Sequence, residues 1–201
     1  MQYYLNIIIF ASIAYLIGSI STAIITCKIM NLEDPRTTGS KNPGATNVLR
    51  LGGKKAAFIT LLGDMLKGLL PVLLIIQLQP DDLTVSLVGV SALLGHIFPV
   101  YYAFKGGKGV ATFYGVILGA NWVVGLIAIA IWLSVAALLK ISSLSAMVSI
   151  FFTPVILWNF SQSAELTSAA VLMAIIIFWR HRSNIQSLLH GSEGKISNSK
   201  K

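Results

Sequence analysis

The stretch Gly109–Leu139, GVATFYGVILGANWVVGLIAIAIWLSVAALL, contains no Asp, Glu, Lys or Arg. An α-helix rises about 1.5 Å per residue, and about 20 apolar residues cross a bilayer core. The run is therefore long for one span and short for two, because arms of ~15 residues reach only ~22 Å each. Gly119–Asn121 within it is where a hairpin would turn. Whether this stretch crosses once or twice decides the parity of the whole chain.

Charge is equally absent from Met1–Cys27, Leu83–Phe104 and Ile141–Ala164. Of 201 residues, 55% are hydrophobic and 11% charged, with mean hydropathy +0.79. Soluble domains carry about 25% charged residues, so a fully water-exposed surface is excluded. The sequence predicts one all-α, membrane-embedded domain over 1–201, with spans at about 4–26, 56–78, 83–104, 110–120, 122–139, 143–160 and 166–179. The N-terminus lacks a basic region and its apolar run is too long for a typical secretory signal. Cys27 is the sole cysteine, which rules out an internal disulfide and a cysteine metal cluster.

The sign of the remaining charge orients the chain. Lys28, Arg36, Lys41, Arg50, Lys54 and Lys55 crowd the first long loop. Lys105 and Lys108, then Lys140, then Arg180, Arg182, Lys195, Lys200 and Lys201 mark later connections. The intervening links hold Asp81, Asp82 and Glu165 without a basic residue. Basic loops stay cytoplasmic, and all of these share that side only if 109–139 crosses twice. The expectation is seven transmembrane helices, N-terminus outside and C-terminus cytoplasmic; five spans with a re-entrant pair is the second topology. The net charge of +8 then serves orientation and attraction to anionic lipid headgroups. No basic domain separates from the membrane part, so nucleic acid is not an expected partner.

Three polar constellations fall on the basic side. In Thr37–Arg50, TTGSKNPGATNVLR, small and amide-bearing residues surround Pro43, and Gly44 permits unusual backbone angles. Free backbone N–H groups with Ser40, Asn42, Asn47 and Arg50 suit a phosphate, although a capped turn with basic flanks explains the pattern as well. If 44–50 is helical, Asn47 and Arg50 share a face. In Gly95-His96 and Phe104-Lys-Gly-Gly-Lys-Gly109, glycines between Lys105 and Lys108 make a flexible cationic loop that can bring amides against an anion. The spacing is not that of a P-loop. His96 sits in an uncharged run, either as a functional group or as a hydrogen-bonded core histidine. In Arg180-His-Arg-Ser-Asn184, His181 and Asn184 are three apart on one helical face. Asp64 and Lys67 read as a mutually neutralising pair, and Ser142, Ser143 and Ser145 read as capping residues.

Together these segments resemble the bacterial acyl-phosphate:glycerol-3-phosphate acyltransferase family. The likeness rests on Ser40 to Arg50, on Gly95-His96 through Lys105-Gly106-Gly107-Lys108-Gly109, and on His181 to Asn184, and it extends from about Gly18 to Glu193. Lys41 departs from the family, which usually has glycine there. The resemblance implies an inner-membrane enzyme, with its site facing the cytoplasm, that moves an acyl chain from acyl phosphate to the 1-hydroxyl of glycerol 3-phosphate. Membrane lipids and an enzyme supplying acyl phosphate are the implied partners, and no metal or cofactor is implied. It places Ser40, Arg50, Lys105 and Lys108 on phosphate, with Gly44, Gly106 and Gly107 lending backbone and His96 in support. Asn42, Asn47 and Asn184 position or stabilise an oxyanion, and Ser143 completes the pocket. His181 orients the hydroxyl or takes its proton; the departing phosphate is the other acceptor.

Two other functions compete. The acyl-CoA-dependent glycerolipid acyltransferases use a His followed five positions later by Asp, but Tyr101, Gln186 and Lys195 stand at those positions after the three histidines. A phosphate or organic-anion transporter tends to show repeated halves with a midplane site. No repeat is visible here.

Overall fold

A computed structural model describes residues 1–78 and 81–196. Lys200 and Lys201 of the basic tail lie outside the described residues. The chain is all-helical: α1 Gln2–Gly18, α2 Thr22–Ile29, α3 Ala45–Leu78, α4 Asp82–Ile97, α5 Val110–Ala120, α6 Trp122–Leu139, α7 Ser142–Ser161, α8 Ala164–Arg180 and α9 Arg182–Leu189. Among the described residues, five helical segments are long and apolar enough to cross a membrane, six if α8 and α9, bent by 60°, form one span. The short apolar α5 is additional to these. This is a helical membrane protein.

The decisive run divides at Asn121, whose extended backbone ends α5 and whose side chain accepts from Val124 N at 3.1 Å to cap α6. With 11 residues, α5 is about 16 Å long. That is about half of a hydrocarbon layer of ~30 Å. It packs between α3 and α6, close to α4 and α8, and forms the interior of the bundle. Phe113 and Ile117 are accordingly buried, whereas Leu126, Leu133 and Leu138 of α6 face outward. Large apolar side chains on the outside are what a lipid-facing surface demands.

Three expected spans differ from their observed helices. The first, expected unbroken over 4–26, breaks at Ser19–Ser21 between α1 and α2. Gly18 lies against the Ala92 backbone and Gly95 against Tyr15 and Ser19, so α1 and α4 approach more closely than a Cβ would permit. The second begins at Ala45 rather than near 56, carrying the first polar motif onto a helix. It kinks at Gly53, whose φ of 74° suits a residue without a side chain. The α-helix of the expected third span ends at Ile97, and Val100–Tyr102 follow as a short 3-10 helix before the turn at Ala103–Phe104.

Candidate active site

A cavity of about 480 Å³ gathers all three polar constellations. Ser40, Asn42, Gly44, Asn47 and Arg50 line it from the first loop and the start of α3. His96 and Lys108 contribute from the second constellation, and His181 and Asn184 from the third. Ser143, at the start of α7, completes this polar end. Leu61 and Met65 of α3, Val110 of α5, and Ile129, Trp132 and Leu133 of α6 form an apolar arm continuous with it. Leu61 and Leu133 are both exposed, so the arm opens sideways between α3 and α6.

The polar end is tied together by charge-assisted contacts. Lys108 Nζ donates to Asn184 Oδ1. Asn184 Nδ2 donates to Glu193 Oε1 at 2.6 Å, and Ser143 Oγ donates to the same oxygen at 2.5 Å. Burial lowers the Lys108 ammonium pKa; the Glu193 carboxylate opposes that shift, and Arg180 and Arg50 add to it. Ile196 N donates to Lys140 O at 2.8 Å, so the terminal segment folds back onto the α6–α7 connection and carries Glu193 with it. Among the described residues no group of three His, Cys, Asp or Glu side chains could hold a metal ion.

His181 occupies the bend between α8 and α9 and is buried. Its Nδ1 lies 2.8 Å from Ile177 O. A carbonyl only accepts, so Nδ1 carries the proton and Nε2 keeps its lone pair. Burial pushes the ring's pKa down to about 4; the Ile177 carbonyl opposes this and Lys108 reinforces it. The imidazole is neutral at pH 7.

Three sequence assignments differ in the structure. Lys105 is exposed and does not line the cavity, because the turn after Phe104 points it outward. Gly106 and Gly107 do not line it either. Their carbonyls instead accept from Arg180, at 3.0 Å from Nη2 and 3.3 Å from Nε. Asn47 lines the cavity, yet its amide is held inside the first loop. It accepts from Ser40 N at 2.9 Å and donates to Pro35 O and Thr38 O at 3.0 Å each, which satisfies the amide within the loop. Asn47 is a loop organiser.

Sequence reasoning also passed over two residues of this network. Arg180 reads as a membrane-flanking cation, since nothing in the string points its guanidinium at glycine carbonyls. Glu193 lies far beyond the last span, and its nine-residue separation from Asn184 gave no hint of contact.

The glycerol-3-phosphate acyltransferase family profile matches residues 8–191. The chain belongs to this family. A glycerol-3-phosphate acyltransferase of Thioalkalivibrio sulfidiphilus is 55% identical over 188 residues, covering 94% of this chain and 93% of that one. One of Methylococcus capsulatus is 50% identical over 183 residues, covering 91% and 92%. The crystal structure of PlsY, an integral membrane glycerol 3-phosphate acyltransferase, in its glycerol 3-phosphate form superposes with a TM-score of 0.91 at 33% identity, over 94% of this chain and 95% of that one. Its lysophosphatidic acid form gives 0.89 at 32% identity. The acyltransferase family thus accounts for nearly the whole chain, and both the fold and the enzyme class follow from it.

Proposed function

We propose that this chain transfers the acyl group of an acyl phosphate to the 1-hydroxyl of glycerol 3-phosphate, releasing lysophosphatidic acid and inorganic phosphate. One observation carries the reading: a single cavity joins a cationic, amide-rich end to an apolar arm that opens toward lipid. Two phosphate-bearing substrates need the first part and an acyl tail needs the second. The relatives' name and the glycerol 3-phosphate form of PlsY support glycerol 3-phosphate as acceptor.

In this scheme Ser40, Arg50 and Lys108 hold phosphate, with the flanking Asn42 and Gly44 shaping the rim. The glycerol 1-hydroxyl donates its hydrogen bond to His181 Nε2, which aims its oxygen at the acyl carbonyl. As that C–O bond forms, negative charge grows on the carbonyl oxygen, and the second N–H of Asn184 Nδ2, the one not given to Glu193, is the nearby donor for it, with Ser143 holding Glu193 in place. The tetrahedral species collapses by breaking the carbon–oxygen bond to phosphate. A ring whose pKa lies near 4 is a poor proton acceptor at pH 7, so the departing phosphate takes the proton. An acyl phosphate is already a mixed anhydride, and the sequence of steps needs no acyl-enzyme.

The topology proposed with this function is seven spans in the bacterial inner membrane, N-terminus outside, with the site on the cytoplasmic face near the basic loops. The decisive experiment supplies purified protein with labelled glycerol 3-phosphate and either acyl phosphate or acyl-CoA. Lysophosphatidic acid formed from acyl phosphate is the expected result. Product from acyl-CoA alone, or phosphate uptake into liposomes without acyl transfer, overturns it.

A further inference from the structure

Asp64, Lys67 and His96 take no step in the transfer described above, yet all three are buried in the bundle. Lys67 Nζ lies 2.8 Å from Asp64 Oδ1 and donates to Ile20 O at 2.8 Å. That carbonyl belongs to the break between α1 and α2, where no helical donor takes it. His96 Nδ1 stands 3.7 Å from the same Asp64 oxygen. A buried ion pair is a weak source of stability, since apolar residues of similar volume usually serve as well or better. Its presence inside α3 calls for another account.

The other end of His96 supplies one. Its backbone carbonyl accepts from Gly107 N at 3.2 Å, and the next carbonyl, Ile97 O, accepts from Gly106 N at 3.2 Å. The Nε2 edge of the ring lies where a side chain on Gly107 would stand. Arg180 holds the carbonyls of the same two glycines. The loop is therefore gripped by Arg180 on one side and His96 on the other, and the next residue is Lys108.

We propose that the buried Asp64–Lys67–His96 cluster is a positioning device that fixes the Gly106–Gly107 loop, so that Lys108 meets the substrate phosphate in register. Asp64, tied to Lys67, sits against His96 Nδ1, the carbonyls of His96 and Ile97 together with the His96 ring edge set the loop, and the loop aims the ammonium. The cluster governs affinity for the phosphate-bearing acceptor more than the acyl-transfer step. This rests on the function proposed above, and a displacement of about 1 Å at such a contact can cost up to ~10²-fold.

The test measures KM for glycerol 3-phosphate, kcat and Tm in detergent for Asp64→Asn/Lys67→Gln, which removes both charges together, and for His96→Asn, which keeps the group facing Asp64 but removes the edge facing Gly107. The expected result is KM raised about tenfold or more, with kcat within about threefold and Tm within a few degrees. A double-mutant cycle pairs His96→Asn with Gly107→Ala. The KM penalty of Gly107→Ala should shrink at least threefold when the ring edge is gone while kcat and Tm stay put, whereas a merely structural role shifts Tm and kcat together with KM. Unchanged KM, or additive effects with Tm and kcat falling together, overturns the proposal. Calorimetric binding of glycerol 3-phosphate separates the two readings. Wild-type protein that binds it without transferring acyl groups overturns the function alone, and equal affinity in wild type and variants overturns the positioning role alone.

Discussion

Lys108 Nζ donates to Asn184 Oδ1 across 76 residues of sequence, joining the glycine–lysine loop to the first turn of α9. The contact brings the second and third polar constellations to one point, and the basic residues Lys105, Lys108 and Arg180 of these two segments are not equivalent. Lys108 is partly buried at the cavity, Arg180 is turned toward glycine carbonyls, and Lys105 faces away.

Lys108→Met should therefore lower kcat/KM by about 10²–10³-fold, the loss expected when a charge-assisted contact to phosphate disappears. Lys105→Met should stay within about threefold. Steady-state kinetics on both variants checks the contrast, and equal losses would put the loop in a different orientation.

His181 is the next case. His181→Ala should lower turnover by about 10²-fold through loss of hydroxyl orientation, with less change in KM. The ring's lowered pKa has a definite sign: the neutral form prevails above about pH 4 instead of above about 6.5. An NMR titration of the His181 ring should show no midpoint between pH 5 and 8. A midpoint near 6.5 would return His181 to the role of proton acceptor.

Glu193 accepts from Ser143 and Asn184 at once. Glu193→Ala leaves both donors without that acceptor and frees the terminal segment, so kcat/KM should fall about tenfold or more, with a lower Tm. Glu193→Gln keeps an accepting oxygen and should retain more of both. Identical behaviour of the two variants would remove the hydrogen bonds from the explanation.

The apolar arm sets the fourth expectation. Ile129 lines it from α6, and Ile129→Trp fills its inner part. KM should rise several-fold for long acyl donors and little for short ones, as an assay across donor chain lengths would show. A uniform rise would place the acyl tail elsewhere.

Hydropathy alone marked where the helices fall, because burying backbone in lipid forces helix wherever some 20 residues lack charge. That is a local, one-dimensional condition, and it reaches even the division of the longest run near Asn121. The polar segments were legible for a related reason: amides, glycines and cations are costly at a membrane rim unless they bind something. Residue types in a string do not reveal where a side chain points. The break at Ser19–Ser21, which bares Ile20 O for Lys67, depends on the close crossing of α1 over α4. Asn47 gives its amide to Pro35 and Thr38 of the preceding loop although it rides the helix that carries Arg50 to the cavity wall. Arg180 meets its partners only where the glycine loop packs against the end of α8, and Glu193 only where the chain end folds back. These outcomes belong to the tertiary structure, since each depends on a contact between distant segments whose distance and direction no spacing rule encodes.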